Sequence, residues 1–162
     1  MADDLVQIDP GMVVKMLDGL PEKGMAQVRR GLKRAVLLVH REAVKNAPVS
    51  PTNAQYSKAV LKRKKRTKRR MHPGGLSRSI EWEVNGNEGA VYVAENSEAS
   101  RYARKIHDER YKTWKNRGPG TIAKGSRARE KFIERAMADN VGKVNEILDA
   151  AIAKAVKEAQ QK

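Results

Sequence analysis

The chain contains no cysteine. Disulfides, thiolate catalysis and cysteine-based metal sites are therefore excluded. Aromatics are scarce in its 162 residues: Phe132, Trp82, Trp114 and four tyrosines. A single-strand nucleic-acid platform usually sets several exposed aromatics on one sheet face, so this scarcity counts against a stacking-type reader. No apolar run is long enough to span a bilayer, and no membrane partner is expected. The opening MADDLVQIDP is acidic and lacks the basic flank and apolar block of a secretory signal. Synthesis in a reducing cytosol is expected.

Catalytic patterns are also missing. His40, His72 and His107 are far apart in sequence. His107-Asp108-Glu109 could be imagined as an acid/base or metal cluster, but neighbouring positions on a helix point in different directions. A plain surface role is expected for the trio. Gly118-Pro119-Gly120 lacks the Lys-Ser/Thr of a phosphate loop and has a proline where a backbone donor is needed. Neither G-x-S-x-G nor H-E-x-x-H occurs. No enzyme activity, cofactor or metal is expected.

The last absence is acid: there is no Asp or Glu from Ala43 to Ile80. Inside that gap lies the densest charge in the chain. Lys58, Lys62, Arg63, Lys64, Lys65, Arg66, Lys68, Arg69 and Arg70 are nine cations in thirteen positions. The segment 51–75 leaves only +6 of the net +15 to the remaining residues. Nothing local neutralises the block, and no sustained apolar pattern would fold it. We read residues 49–75 as a basic arm, an insertion bracketed by Pro48, Pro51, Pro73, Gly74 and Gly75. Its nine cations are candidate contacts for DNA or an acidic partner; the plain alternative is a solvated loop without a ligand.

The rest reads as one α+β domain over 1–162. Residues 5–8 suggest a short strand and 11–20 a short helix. Met25, Val28, Leu32, Ala35, Val36, Val39 and Ala43 recur at three- and four-residue steps, which predicts an amphipathic helix over 22–46 opened by Pro21. Ile80, Trp82 and Val84 alternate with Glu81 and Glu83. With 89–94 and the Asn85-Gly86-Asn87-Glu88 linker they predict an antiparallel hairpin. A helix is expected over 98–116, with Tyr102, Ala103 and Ile106 facing inward. A long C-terminal helix is expected over 127–160, N-capped by Ser126 and weakened at Gly142. The expected fold is a small antiparallel sheet, the hairpin plus the N-terminal strand, packed by two long amphipathic helices. The second helix is longer than such a body needs, so its far end is expected to pack on another subunit.

Several of these features recur in a familiar order. Leu20-Pro21-Glu22 leads into the basic helix with Leu32-Lys33-Arg34-Ala35 and Ala43-Val44-Lys45-Asn46-Ala47-Pro48-Val49. Gly75-Leu76-Ser77-Arg78-Ser79-Ile80 enters the hairpin. Tyr102-Ala103 precedes a Gly/basic loop, and Phe132-Ile133-Glu134-Arg135-Ala136-Met137 starts the last helix. Over roughly residues 5–155 the chain resembles the tail-completion, or neck, proteins of tailed bacteriophages. It departs from them in the basic arm, in Pro73-Gly74-Gly75 where Asp-Thr-Gly is usual, and in Arg104-Lys105-Ile106-His107 where Glu-Phe-Gly is usual. The resemblance implies a structural virion protein, made in the bacterial cytoplasm and located in the tail or neck. It would form a homo-oligomeric ring, commonly six-fold, between head–tail connector proteins and tail terminator or tail tube proteins, with genomic DNA passing through the lumen. The rival expectation is a host ribosome- or nucleoid-associated protein that binds nucleic acid through the arm.

Overall fold

The apolar stripe over 22–46 produces a 25-residue helix, α1 (Glu22–Asn46). Glu22 in its first turn and Lys45 in its last turn both suit the helix dipole, and Pro48 prevents its continuation. A computed structural model describes residues 22–49, 75–97, 99–108 and 119–160. The expected strand at 5–8, the helix at 11–20, Pro21 and most of the basic arm lie outside the described residues. Six α-helices and a two-stranded antiparallel sheet are present among those described. The architecture is a small α+β fold, as expected, and among the described residues its sheet is the hairpin.

After α1 come the single turn α2 (Gly75–Arg78), strands β1 (Ile80–Asn85) and β2 (Glu88–Val93), and α3 (Ser100–Asp108). The short α4 (Pro119–Ala123), a 3₁₀ turn (Gly125–Arg127), α5 (Phe132–Ala138) and α6 (Val141–Gln160) complete the order. The register pairs Ile80 with Val93, Trp82 with Val91 and Asn85 with Glu88, leaving a two-residue loop. Gly86 takes φ +60° while Asn87 does not have positive φ, the pattern of a turn with glycine at its first central position. The Ala94 amide donates to the Ser79 carbonyl at 2.8 Å and extends the ladder.

α1 is the hub. The hairpin lies on one side of it and α6 on the other. Gln27 bonds Glu158 at 3.0 Å, and Gly31 lies against Ala151, so α6 runs antiparallel to α1. On the opposite flank Gly89 sits over Val36 and Leu32, and the His40 ring Nε2 lies 3.0 Å from the Ile80 carbonyl. A core of mostly small residues closes the C-terminal half of α1: Ala35, Val39, Ala43, Ala47, Leu76, Ile80, Ala99, Ala103, Phe132, Ala136 and Val144. Ala103 is buried and Tyr102 and Ile106 are half-buried, as the pattern in α3 predicts.

The C-terminal helix departs from expectation. It does not begin after Ser126, which lies in the 3₁₀ turn, and it is interrupted. Lys131 precedes α5 with φ +53° and donates its amide to the His107 carbonyl at 2.8 Å. That reversal delivers Phe132, fully buried, into the core. The second break falls at Asp139–Asn140, where buried Asn140 donates from Nδ2 to the Ala136 carbonyl at 2.9 Å. Gly142, the expected weak spot, lies inside the first turn of α6.

A methyl group at Gly31 would overlap the Cβ of Ala151, an atom fixed to its own helix backbone. Gly31→Ala should therefore destabilise the fold, by about 1–3 kcal/mol as overpacked cores do. It should do so despite the roughly 1 kcal/mol that alanine gains in helix propensity. Urea unfolding should show most of this loss recovered when Ala151→Gly is added.

Candidate functional site

All nine expected contact residues, Lys58, Lys62, Arg63, Lys64, Lys65, Arg66, Lys68, Arg69 and Arg70, lie outside the described residues. What the structure does give is the seat of the segment that carries them. At its first end, α1 stops and Ala47 and Pro48 are buried. The Val49 amide donates to Thr121 Oγ1 at 2.9 Å, and the same hydroxyl donates back to the Val49 carbonyl at 2.8 Å. Thr121 is only 2% exposed and Val49 is half-buried, so this pairing is partly shielded from water. Beside it Lys124 Nζ donates to the carbonyls of Ala47 (2.8 Å) and Val44 (3.3 Å), two of the groups a helix C-terminus leaves unsatisfied. Burial pushes the Lys124 ammonium below the usual lysine range.

At the second end, α2 buries Leu76 to 2% exposure against the α1 side of the core. Ser79 donates both its amide (3.1 Å) and its hydroxyl (2.8 Å) to the Gly75 carbonyl. Both ends of the basic segment are thus fixed to the same half of α1.

The folded body carries a second concentration of charge. Arg29, Arg30, Lys33 and Arg34 are all exposed on α1. Among the described residues none of them has a carboxylate within 4 Å. Grooves flank this ridge on both sides. One, open to solvent and about 650 Å³, is lined by Arg29, Arg30, Lys33, Trp82, Val84 and Gly86. The other, about 440 Å³, lies against α6 and includes Arg30, Arg34, Glu146 and Lys154. The Lys33 ammonium sits 5.5 Å from the Trp82 ring centroid, a cation–π contact. All four fall off the apolar stripe of α1, which puts them on its outer faces. Their run in two adjacent turns was visible, whereas the pairing with Trp82 is a contact between distant parts of the chain.

The hairpin carries the opposite sign. From Ile80 to Ala99 there are five acids and no base. Glu81, Glu83 and Tyr92 are exposed on the face turned away from α1. Desolvation, then the charges of Glu83 and Glu81, push the Tyr92 phenol up.

Comparison with known proteins gives no match: no family model, no curated protein and no solved structure matches this chain.

The expectation that His107 and Asp108 point apart needs correction. At the end of α3 the Asp108 carboxylate folds back, and His107 Nδ1 lies 3.0 Å from Asp108 Oδ1. That hydrogen bond, followed by the charges of His107 and Arg104, holds the Asp108 carboxyl below its ordinary value. The other side of the imidazole packs edge-on against Phe132, with centroids 5.4 Å apart. The pair ties α3 to α5. Glu109 is outside the described residues, and no cluster of three potential metal ligands occurs among those described.

Thr121→Val should leave the Val49 amide and carbonyl unsatisfied and cost about 1–3 kcal/mol in chemical denaturation, with Thr121→Ser recovering most of it. Lys124 gives a pH signature. Its folded-state pKa is lowered, so between that value and the ordinary lysine value the unfolded chain binds more protons and stability rises with pH. Lys124→Met should remove this rise when unfolding is followed at alkaline pH.

Proposed function

We propose that the chain is a non-enzymatic structural protein of a tailed-phage neck. It completes the head-proximal end of the tail as a ring around the DNA channel, with the basic arm meeting channel DNA or an acidic neighbour. The support begins with where the residues that carry the resemblance sit. Asn46-Ala47-Pro48-Val49 forms the buried, clamped exit from α1; Leu76 anchors the return; Phe132 fills the core. These positions hold a small body together around a long basic insertion, the division of labour that a ring component with a cationic projection requires.

One observation on α6 favours assembly. Val144, Ala151 and Ala155 turn towards α1, yet Val141 (49% exposed), Ile152 (36%) and Val156 (39%) stay in solvent. At 3.6 residues per turn these three fall within roughly 60° of the helix circumference. They form an apolar flank, continued by exposed Met137 of α5. A contact between copies would cover it. Rings need such heterologous surfaces, because each copy presents one patch to its neighbour and receives a different one.

Mass photometry of the purified chain should show a closed oligomer, commonly six copies, above a threshold concentration. Ile152→Glu with Val156→Glu should return the protein to monomers with its far-ultraviolet circular dichroism unchanged. A wild-type chain that stays monomeric at every concentration while binding free nucleic acid would instead fit a host nucleic-acid-binding module.

A further inference from the structure

We propose that the cationic ridge of α1, with its flanking grooves, is a second polyanion site that binds the phosphate backbone of duplex DNA independently of the basic arm. The inference goes beyond the neck reading and does not require that copies assemble.

The ridge has the composition and geometry for this. Arg29 and Lys33, and Arg30 and Arg34, are i,i+4 pairs about 6 Å apart along the helix. Four exposed cations on two adjacent turns repel one another, and among the described residues none of them has a carboxylate within 4 Å; the one acid in their grooves is Glu146, beside Arg30 and Arg34. Lys154 of α6 adds a fifth cation to the groove that Arg30 and Arg34 line and offsets Glu146 there, so the groove keeps a positive balance. On the other flank Trp82 and Val84 line the groove shared with Arg29, Arg30 and Lys33. Lys33 already lies over the Trp82 ring, so a base would have to displace it to stack there. The site therefore offers charge without a free aromatic face, which suits sequence-independent contact with phosphates rather than base reading.

The acids of the hairpin set the direction. Glu81 and Glu83 face away from α1, so they repel a polyanion from the outer sheet face without neutralising the ridge. An acidic surface of a second copy is the competing occupant. Phosphates repeat at regular short intervals along a strand and can serve paired cations on successive turns, whereas the hairpin face presents Glu81 and Glu83 beside Ala90 and Tyr92. The regular ridge fits the regular ligand better.

The test uses the full chain with residues 62–70 replaced by Ser/Gly, which removes most of the arm's charge, and with Trp114→Phe, which leaves Trp82 as the one indole. A short random-sequence duplex is titrated at several salt concentrations. Salt-sensitive binding is expected, with a change in Trp82 emission. Adding Arg29→Gln, Arg30→Gln, Lys33→Gln and Arg34→Gln should reduce the slope of log K against log salt by up to about 3.6, that is 0.9 per phosphate contact, and abolish the emission change. Glutamine keeps helix propensity, so circular dichroism should be unaltered. The proposal is overturned if the arm-neutralised chain fails to bind, or if the four-glutamine variant binds with the same slope. It is also overturned if those glutamines abolish self-association and leave DNA binding intact, because the ridge would then serve a second copy. Rings without ridge binding sink this inference alone; ridge binding by a chain that never forms rings sinks the neck reading alone.

Discussion

The fold depends on one helix being able to bury two opposite flanks. α1 receives the hairpin on one side and α6 on the other, and both approaches are close because glycine stands at the contact. Gly31 admits Ala151, and Gly89 of the hairpin admits Val36. A side chain at either point would separate layers whose burial supplies most of the stabilisation available to so small a body. A two-stranded hairpin is marginal alone in water, so its order comes from α1. The cost of this arrangement is that the hub helix has a single flank left for solvent, and the cations of α1 are concentrated there.

That concentration makes the molecule electrically polarised. The ridge of α1 and the arm are positive, and the outer face of the hairpin is negative, within a chain of net charge +15. Surface fields of this kind act mainly on orientation and encounter, and salt weakens them over about 10 Å at moderate ionic strength. A polyanion approaching the body is therefore attracted on one side and deflected on the other. The same asymmetry gives two copies a reason to avoid meeting ridge to ridge or hairpin to hairpin.

The parts of this fold legible in the sequence are those encoded locally. The α1 stripe gives the same bounds, 22–46, by periodicity as by structure, and the Asn-Gly linker places the hairpin loop. Features set by distant partners were not legible. Nothing near Lys131 announces a left-handed residue; its conformation follows from the His107 carbonyl it meets and the pocket Phe132 fills. Periodicity counts apolar spacing and is blind to a break that keeps its phase, so 127–160 reads as a single helix. His107 and Asp108 illustrate the complementary error: directional rules for a helix interior lapse in its last turn. The cations of the candidate site were visible one by one. Their lack of carboxylate partners and the contact with Trp82 emerge only from the packing.

The clamp at Val49 shows how the two cationic regions can act together. Thr121 and Lys124 belong to the segment between α3 and α5, yet they fasten the residues just after α1. On the far side of the insertion, α2 and Leu76 fasten its return to the same half of the helix. Each hydrogen bond is modest, on the order of 1 kcal/mol net, but the Val49–Thr121 pair is reciprocal and its hydroxyl is buried. The arm and the ridge therefore share one rigid mount. A polyanion held by either would be kept near the other at raised effective concentration, with no new contact required. Two electrostatic sites on one mount would retain a strand longer than either does alone. Because each phosphate contact is individually weak and not base-specific, such a strand would remain free to slide along the mount.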